Sequence, residues 1–209
     1  MTATKNPKET ARAFWNDVYR AEGYAFGTEP NDWFARQDTR LKAGQRILMV
    51  ADGDGRNSLW CARKGMTVDA FDLSDVAVGK ARQLAEQAGL SVNFTVAGID
   101  DWHWLPDCYD AVAVILCQFA TPAMNRVMFS NSIQSLKKGG LLFVLGYDVK
   151  QLEYRTGGPP WKERLYTPDI LRELAQGTEI LELERWEKEI DAGRHRGMSA
   201  FVSMVARKK

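Results

Sequence analysis

Residues 47–57 read Ile-Leu-Met-Val-Ala-Asp-Gly-Asp-Gly-Arg-Asn. An apolar run from Ile47 to Ala51 breaks into a glycine-bearing turn, and helical periodicity follows it. Such a strand, turn and helix lets a ligand approach the backbone at Gly53 and Gly55, where no Cβ stands in the way. The chemistry this loop favours is set by Asp52 and Asp54. A loop built to hold a diphosphate offers backbone N–H groups and avoids carboxylates, which repel the phosphates. Two carboxylates suit a ligand that brings cations. S-adenosylmethionine (SAM), which carries an ammonium and a sulfonium, is the candidate cofactor. Asp72 lies about twenty residues further on, where an acid closing the second strand accepts hydrogen bonds from ribose hydroxyls.

Two other nucleotide loops are weighed against this one. The dinucleotide fingerprint needs a third small residue for close helix packing; here Ser58 follows Arg56-Asn57, and Asp54 would face a pyrophosphate. A nicotinamide-dependent oxidoreductase is therefore the lesser alternative. No Lys-Ser/Thr pair follows the glycines, so the loop is not a triphosphate cradle.

The elements that must position these residues alternate along the chain. A first helix is predicted over Lys8 to Glu22, with Phe14, Trp15, Val18 and Tyr19 on one apolar face. A glycine- and aromatic-rich loop follows, and a second helix starts near Asn31. Strands are predicted at Arg46 to Val50, Thr67 to Phe71, Val92 to Val96, Asp110 to Leu116 and Leu141 to Leu145. Helices run from Arg56 to about Lys64, from a Ser74 cap to Gly89, from Thr121-Pro122 to before Gly139-Gly140, and from Thr167-Pro168 to near Gly177. Glu179 to Ile190 and Ser199 to Ala206 read as an antiparallel pair around Asp191-Ala192-Gly193-Arg194. The expected fold is α/β and doubly wound: a Rossmann-like, seven-stranded, mostly parallel sheet with an antiparallel edge strand and helices on both faces.

At 209 residues the chain is expected to be one domain, 1–209. Residues 1–41 would supply N-terminal helices and a loop covering the cofactor, and residues 147–166, with Gly157-Gly158-Pro159-Pro160-Trp161, a lid. A net charge of +1 gives no global pull toward nucleic acid or membrane. No apolar run is long enough to span a bilayer, and the first residues hold no apolar signal core. Cys61, Cys108 and Cys117 share no metal spacing and predict a reducing compartment, the cytoplasm; no metal is expected, and the oligomeric state is left open.

Three segments carry a family likeness. Tyr24-Ala25-Phe26-Gly27-Thr28-Glu29-Pro30-Asn31-Asp32 resembles the "Y-x-Y-G-T-E-P-N-D" stretch of a group of small bacterial class I SAM-dependent methyltransferases related to the tellurite-resistance methyltransferases. Asp52 to Asn57 resembles their acidic "E-G-E-G-R-N" loop, and Gln151 to Pro159 their "Q-L-x-Y-x-T-G-G-P" stretch. The resemblance implies a methyltransferase whose Ala51, Asp52, Gly53, Gly55, Arg56 and Asn57 lie near the methionine part of SAM. It implies Asp72 with Leu73 on the ribose and Gly98, Ile99, Asp100 and Asp101 by the adenine. Trp15, Tyr24 and Gly27 would complete the cofactor site, aromatic faces gaining about 0.5–2 kcal/mol against a sulfonium. Cys117 would line the pocket through its backbone. The chain departs from its relatives at Cys117-Gln118, where they often read Cys-His.

Direct in-line displacement needs proximity, orientation and a dry pocket more than a base. Tyr24, Gln118, Arg155 and His195 are the candidates for a catalytic role, none with a fixed assignment. Trp102 and Trp104 read as a cover over the adenine end or as packing, and His103 as a surface residue. Arg155, Lys162, Arg164, Arg194, His195 and Arg196 concentrate positive charge in the lid and the terminal turn. A small anionic or soft acceptor follows, a thiol or a metalloid oxyanion. A SAM-binding protein without catalysis is the alternative from another class.

Overall fold

The computed structural model describes residues 6–192 and 195–209, the side chains of Ala192 and His195 excepted. The chain runs α1 (Pro7–Tyr19), α2 (Asp32–Ala35), β1 (Arg46–Val50), α3 (Arg56–Arg63), β2 (Thr67–Asp72), α4 (Asp75–Gln87), β3 (Asn93–Val96) and β4 (Tyr109–Ile115). It continues with α5 (Pro122–Ser135), β5 (Leu136–Tyr147), α6 (Gln151–Tyr154), α7 (Pro168–Leu174), β6 (Thr178–Ala192) and β7 (His195–Lys208). The strands form one seven-stranded sheet in the order β3-β2-β1-β4-β5-β7-β6. Neighbours from β3 to β5 are parallel, while β7 is antiparallel to both β5 and β6. The reversed strand thus lies one place in from the edge.

The central strands read as unbroken apolar runs because both faces of the sheet are covered. Ile47, Met49, Ala111, Ala113, Phe143 and Leu145 point into one core with Phe34, Leu59 and Val78. Leu48, Val50, Val112, Val114, Leu142 and Val144 point into the other with Met128, Phe129 and Leu171. Helix starts fall where capping chemistry puts them: Ser74, Thr121 and Thr167 each accept from a backbone N–H in the first turn, the last two followed by proline.

Several bounds differ from the sequence expectation, each for a tertiary reason. Helix α1 stops at Tyr19, three residues early, and Lys80 on α4 ties the carbonyls of Ala21 and Gly23 at 2.6 Å each. Phe14 is 60% exposed, so the buried face of α1 is Val18 and Tyr19 with Trp15 half-buried. Strand β5 begins at Leu136, which is fully buried opposite Tyr109, rather than at Leu141. The last two strands are longer than predicted because they pair with each other from Thr178↔Lys208 to Ala192↔His195. Gly193 and Arg194 of the expected turn lie outside the described residues. No described helix is long and apolar enough to cross a membrane.

Candidate functional site

The strand order reverses direction between β1 and β4, and the carboxyl ends of those strands open a crevice, the usual ligand position in an open α/β sheet. Two non-glycine residues in the left-handed region flank it, Ala51 (φ 49°) after β1 and Leu116 (φ 57°) after β4. Such backbone costs of order 1–3 kcal/mol per residue and collects at functional sites. Cys117 spans the crevice floor, its thiol donating to the Val50 carbonyl at 3.0 Å. Burial pushes that thiol well up, so it is a packed donor and no nucleophile.

Three carboxylates meet at this end of β1 and β2. Asp72 closes β2, accepting from the backbone N–H of Gly53 at 2.9 Å and of Ser74 at 2.8 Å. Its role in holding the loop is thus visible beside the expected one toward a ribose. Burial lifts its carboxyl to about 6. Asp54 accepts from the Ala25 N–H at 3.1 Å, 29 residues upstream. Asp52 differs from both: its two carboxylate oxygens are buried, and neither has a hydrogen bond. Burial pushes it up to about 7; the Ser58 hydroxyl and N–H nearby relieve it without meeting hydrogen-bond geometry, and the charges of Asp72 and Asp54 add to the rise. A buried polar atom without a partner costs roughly 1–3 kcal/mol, more when charged. Asp52 is therefore left short of a hydrogen-bond donor or a cation.

The N-terminal segment is latched onto the same loop. Besides the Asp54–Ala25 bond, Arg56 Nη1 donates to the Phe26 carbonyl at 2.9 Å and Asn57 accepts from the Asn31 N–H at 2.8 Å. The two motif segments read separately in the sequence thus hold each other. Helix α1 is fixed from its other side by Asn16, which donates to Asp75 at 2.8 Å and accepts from Ser74 at 2.6 Å. That arrangement lays the Tyr19 hydroxyl against Gly53, where any Cβ would overlap it. Gly55 makes room for something else: a Cβ there would stand 2.8 Å from Ala81 on α4. Burial and the three carboxylates raise the Tyr19 phenol well above its usual value, so it stays neutral.

Tyr19 is the site residue that sequence reasoning missed. It was legible only as part of a helix face, and its place over Gly53 depends on the latch. Trp15 packs between Tyr19 (6.1 Å between ring centroids) and Phe119 (6.3 Å), and Phe26 meets Tyr19 edge-on at 6.1 Å. Tyr24 is half-buried in the turn that Gly27 closes by donating its N–H to the Tyr24 carbonyl.

Toward the expected adenine end, Leu73 is half-buried beside Gly98, whose N–H donates to Asp101 at 2.9 Å. Ile99 is buried and its carbonyl accepts from the Trp104 indole at 3.0 Å, whereas Asp100 is exposed. Trp102 stacks on Phe71 at 4.7 Å and Trp104 meets it edge-on. These tryptophans pack the second core, and His103 is exposed between them.

Among the described catalytic candidates, no hydrogen bond or ion pair joins Tyr24, Gln118 and Arg155. Gln118 is buried, its amide donating to the carbonyls of Tyr147 (2.8 Å) and Arg164 (3.2 Å) and its oxygen accepting from Tyr147 N–H. It therefore splices the end of β5 to the segment before α7. Arg155 is exposed at the left-handed C-cap of α6. The His195 side chain lies outside the described residues. The 147–166 segment is stitched down: Gln151 donates to Thr156 (3.0 Å) and to the Gly157 carbonyl (3.1 Å) and accepts from Ala200 N–H (2.8 Å).

Residues 47–140 match the family described as a methyltransferase domain. No curated protein matches the sequence. Among solved structures, one from work on the conversion of a disulfide bond into a thioacetal group during echinomycin biosynthesis superposes with a TM-score of 0.78. Identity is 17%, over 95% of this chain and 91% of that one. TehB from Haemophilus influenzae gives 0.70 at 17% identity, over 95% of this chain and 67% of that one. A SAM-dependent methyltransferase from Methanosarcina mazei gives 0.68 at 19% identity, over 86% and 98%. The chain is similar to these in fold. The likeness is to a methyltransferase domain over residues 47–140, fewer than half of the chain, and SAM is the cofactor expected from the sequence.

The residues present fit that cofactor. A buried, unpartnered carboxylate at Asp52 matches a ligand ammonium; beside it the Tyr19 hydroxyl covers Gly53, and Asp72 closes β2 at the same end of the sheet.

Proposed function

We propose that the protein transfers the methyl group of SAM to a small molecule reacting through a soft nucleophile, foremost a thiol. The observation that carries the reading is the Asp52 carboxylate, buried and without a partner at the carboxyl end of β1. The structure from the work on converting a disulfide bond into a thioacetal group, whose fold this chain shares, supports a sulfur acceptor.

SAM supplies an electrophilic methyl carbon. The residues of this chain do the rest by binding and exclusion. Asp52 neutralises the ammonium, and Asp72 accepts from the ribose while keeping Gly53 in place. Trp15, Tyr19 and Tyr24 roof the crevice and exclude water, and Leu73, Gly98 and Ile99 border the adenine. The acceptor sulfur forms the new bond to carbon with its lone pair, and the pair of the broken bond stays on the departing sulfur, leaving a neutral thioether. The thiol proton goes to solvent beforehand, so no dedicated base is required. The 147–166 segment, held by Gln118 and Gln151, forms a fixed wall on the acceptor side, with Arg155 at its rim.

Calorimetric titration tests the cofactor half of this reading. SAM and its demethylated product should bind in the micromolar range and NAD at least a hundredfold more weakly. Comparable NAD affinity would return the site to the oxidoreductase alternative. Transfer of label from methyl-labelled SAM to added thiols tests the rest; binding without any transfer would leave a SAM-binding protein.

A further inference from the structure

The residues that roof the crevice belong to a longer row that extends beyond any cofactor role given to them. From Tyr19, whose hydroxyl lies on Gly53, aromatic rings continue without a break to Trp15 and then to Phe119, in the loop after β4. Phe14 extends the row, edge-on to Trp15 at 5.3 Å, and is 60% exposed. Trp15 and Phe119 are half-buried. A row of large apolar side chains left facing outward beside a ligand site marks a binding surface, because burying it there would otherwise stabilise the fold.

The charge in the crevice behind this wall is unfavourable to anions, and Arg12, the cation on the same helix, acts on Asp75 and Asp101. Asp52, Asp54 and Asp72 stand against one buried cation, Arg56, which the Phe26 carbonyl and the adjacent acids already hold. Lys80 is taken up by the Ala21 and Gly23 carbonyls. Among the described basic residues expected to attract an anion, two are engaged and two face solvent. The Arg164 guanidinium lies on the Trp161 ring at 4.2 Å, Arg196 pairs with Asp191 at 3.0 Å, and Arg155 and Lys162 are exposed.

We propose that the Phe14–Trp15–Phe119 wall is the acceptor's binding surface, and that it selects molecules whose body is apolar and uncharged. This rests on the methyl-transfer reading and replaces its oxyanion branch: the acceptor is an aromatic or aliphatic thiol with no anionic group near the reacting sulfur.

Two probes matched in reactive group separate the cases: 4-nitrothiophenol and 5-thio-2-nitrobenzoate, which differ by one carboxylate. Binding of each to the protein saturated with demethylated SAM is read by calorimetry. The probe without the carboxylate should bind at least tenfold more tightly. Phe119→Ala and Phe14→Ala should each weaken it at least threefold, leaving the affinity for demethylated SAM unchanged. Equal affinity for the two probes, tighter binding of the carboxylate, no binding of either, or wild-type affinity in both variants overturns the inference. Failure of SAM and its product to bind at all is a separate result, which sinks the methyl-transfer reading instead.

Discussion

Asp52 ties cofactor binding to pH, and the size of the effect follows from its surroundings. Its carboxyl sits at about 7 instead of its ordinary 3.8, with burial as the first cause. At 1.36 kcal/mol per pH unit this corresponds to about 4 kcal/mol, an upper figure for the cost of ionising it in the free protein. The folded-state value is raised, so the unfolded chain ionises first as pH rises from about 4. The stability of the free protein therefore falls through that interval and levels off above 7. A cation-bearing ligand reverses the balance, because it needs the carboxylate charged. Between pH 7.0 and 5.5, where the ligand ammonium stays protonated, SAM should weaken by about 15-fold as Asp52 takes up its proton. Asp52→Asn should bind SAM weakly at every pH and show no such slope. Without ligand, that variant should be more stable than wild type at pH 8. Half the upper figure, about 2 kcal/mol, raises the melting temperature by roughly 4–8 °C in a chain of this size. Isothermal titration across the pH range, with thermal melts of both proteins, measures these effects. A dissociation constant flat from 5.5 to 7.0, with no stabilisation by the asparagine, would show that Asp52 is relieved by some other means.

Asp72→Ala removes the acceptor for both Gly53 and Ser74 N–H, so it should cost about 2–4 kcal/mol of unfolding free energy and weaken SAM at least tenfold; denaturant titration with calorimetry checks both. Gly53→Ala forces a side chain into φ 68° and against the Tyr19 hydroxyl, at a cost of about 2–3 kcal/mol, and Tyr19→Phe in the same chain should recover part of it. A double-mutant cycle giving strict additivity would show that the hydroxyl is not the obstacle. Gln151→Ala frees Thr156, the Gly157 carbonyl and Ala200 together, so limited proteolysis at Gly157-Gly158 should speed up at least fivefold, whereas SAM should leave the wild-type rate within twofold. A strong protective effect of SAM in wild type would restore a moving lid in place of a fixed wall.

What the sequence makes legible here is whatever depends on near neighbours. The runs Ile47 to Val50 and Ala111 to Ile115 are apolar at every position, which already requires a sheet covered on both sides, and the two cores divide them by parity. Thr121-Pro122, Thr167-Pro168 and Ser74 mark helix starts because a cap satisfies groups within three residues of itself. The site is legible to the extent that one loop builds it, and Asp52, Gly53 and Asp72 do come together at the ends of β1 and β2. Partners far apart in the chain are where it stops.

Asp54 shows why. As a residue type in a glycine loop it reads as a second ligand for the cofactor's cation, yet its carboxylate accepts from Ala25 and fastens the N-terminal segment. Gln118 reads as a candidate for chemistry because it follows β4 at the crevice, yet its amide is spent on the backbone of Tyr147 and Arg164. In both cases spacing reports where a polar side chain starts, while its role is fixed by a backbone group tens of residues away that only the fold brings near. The converse holds for Tyr19. Nothing marks it among the apolar positions of α1 until Asp54, Arg56 and Asn57 draw residues 25–31 over the loop and Asn16 ties α1 to Ser74 and Asp75. The loop proposed to bind the cofactor is thus also the anchor for the segment that covers it. Substitutions at Arg56 or Asn57 that touch no ligand would therefore act on cofactor affinity through the position of α1.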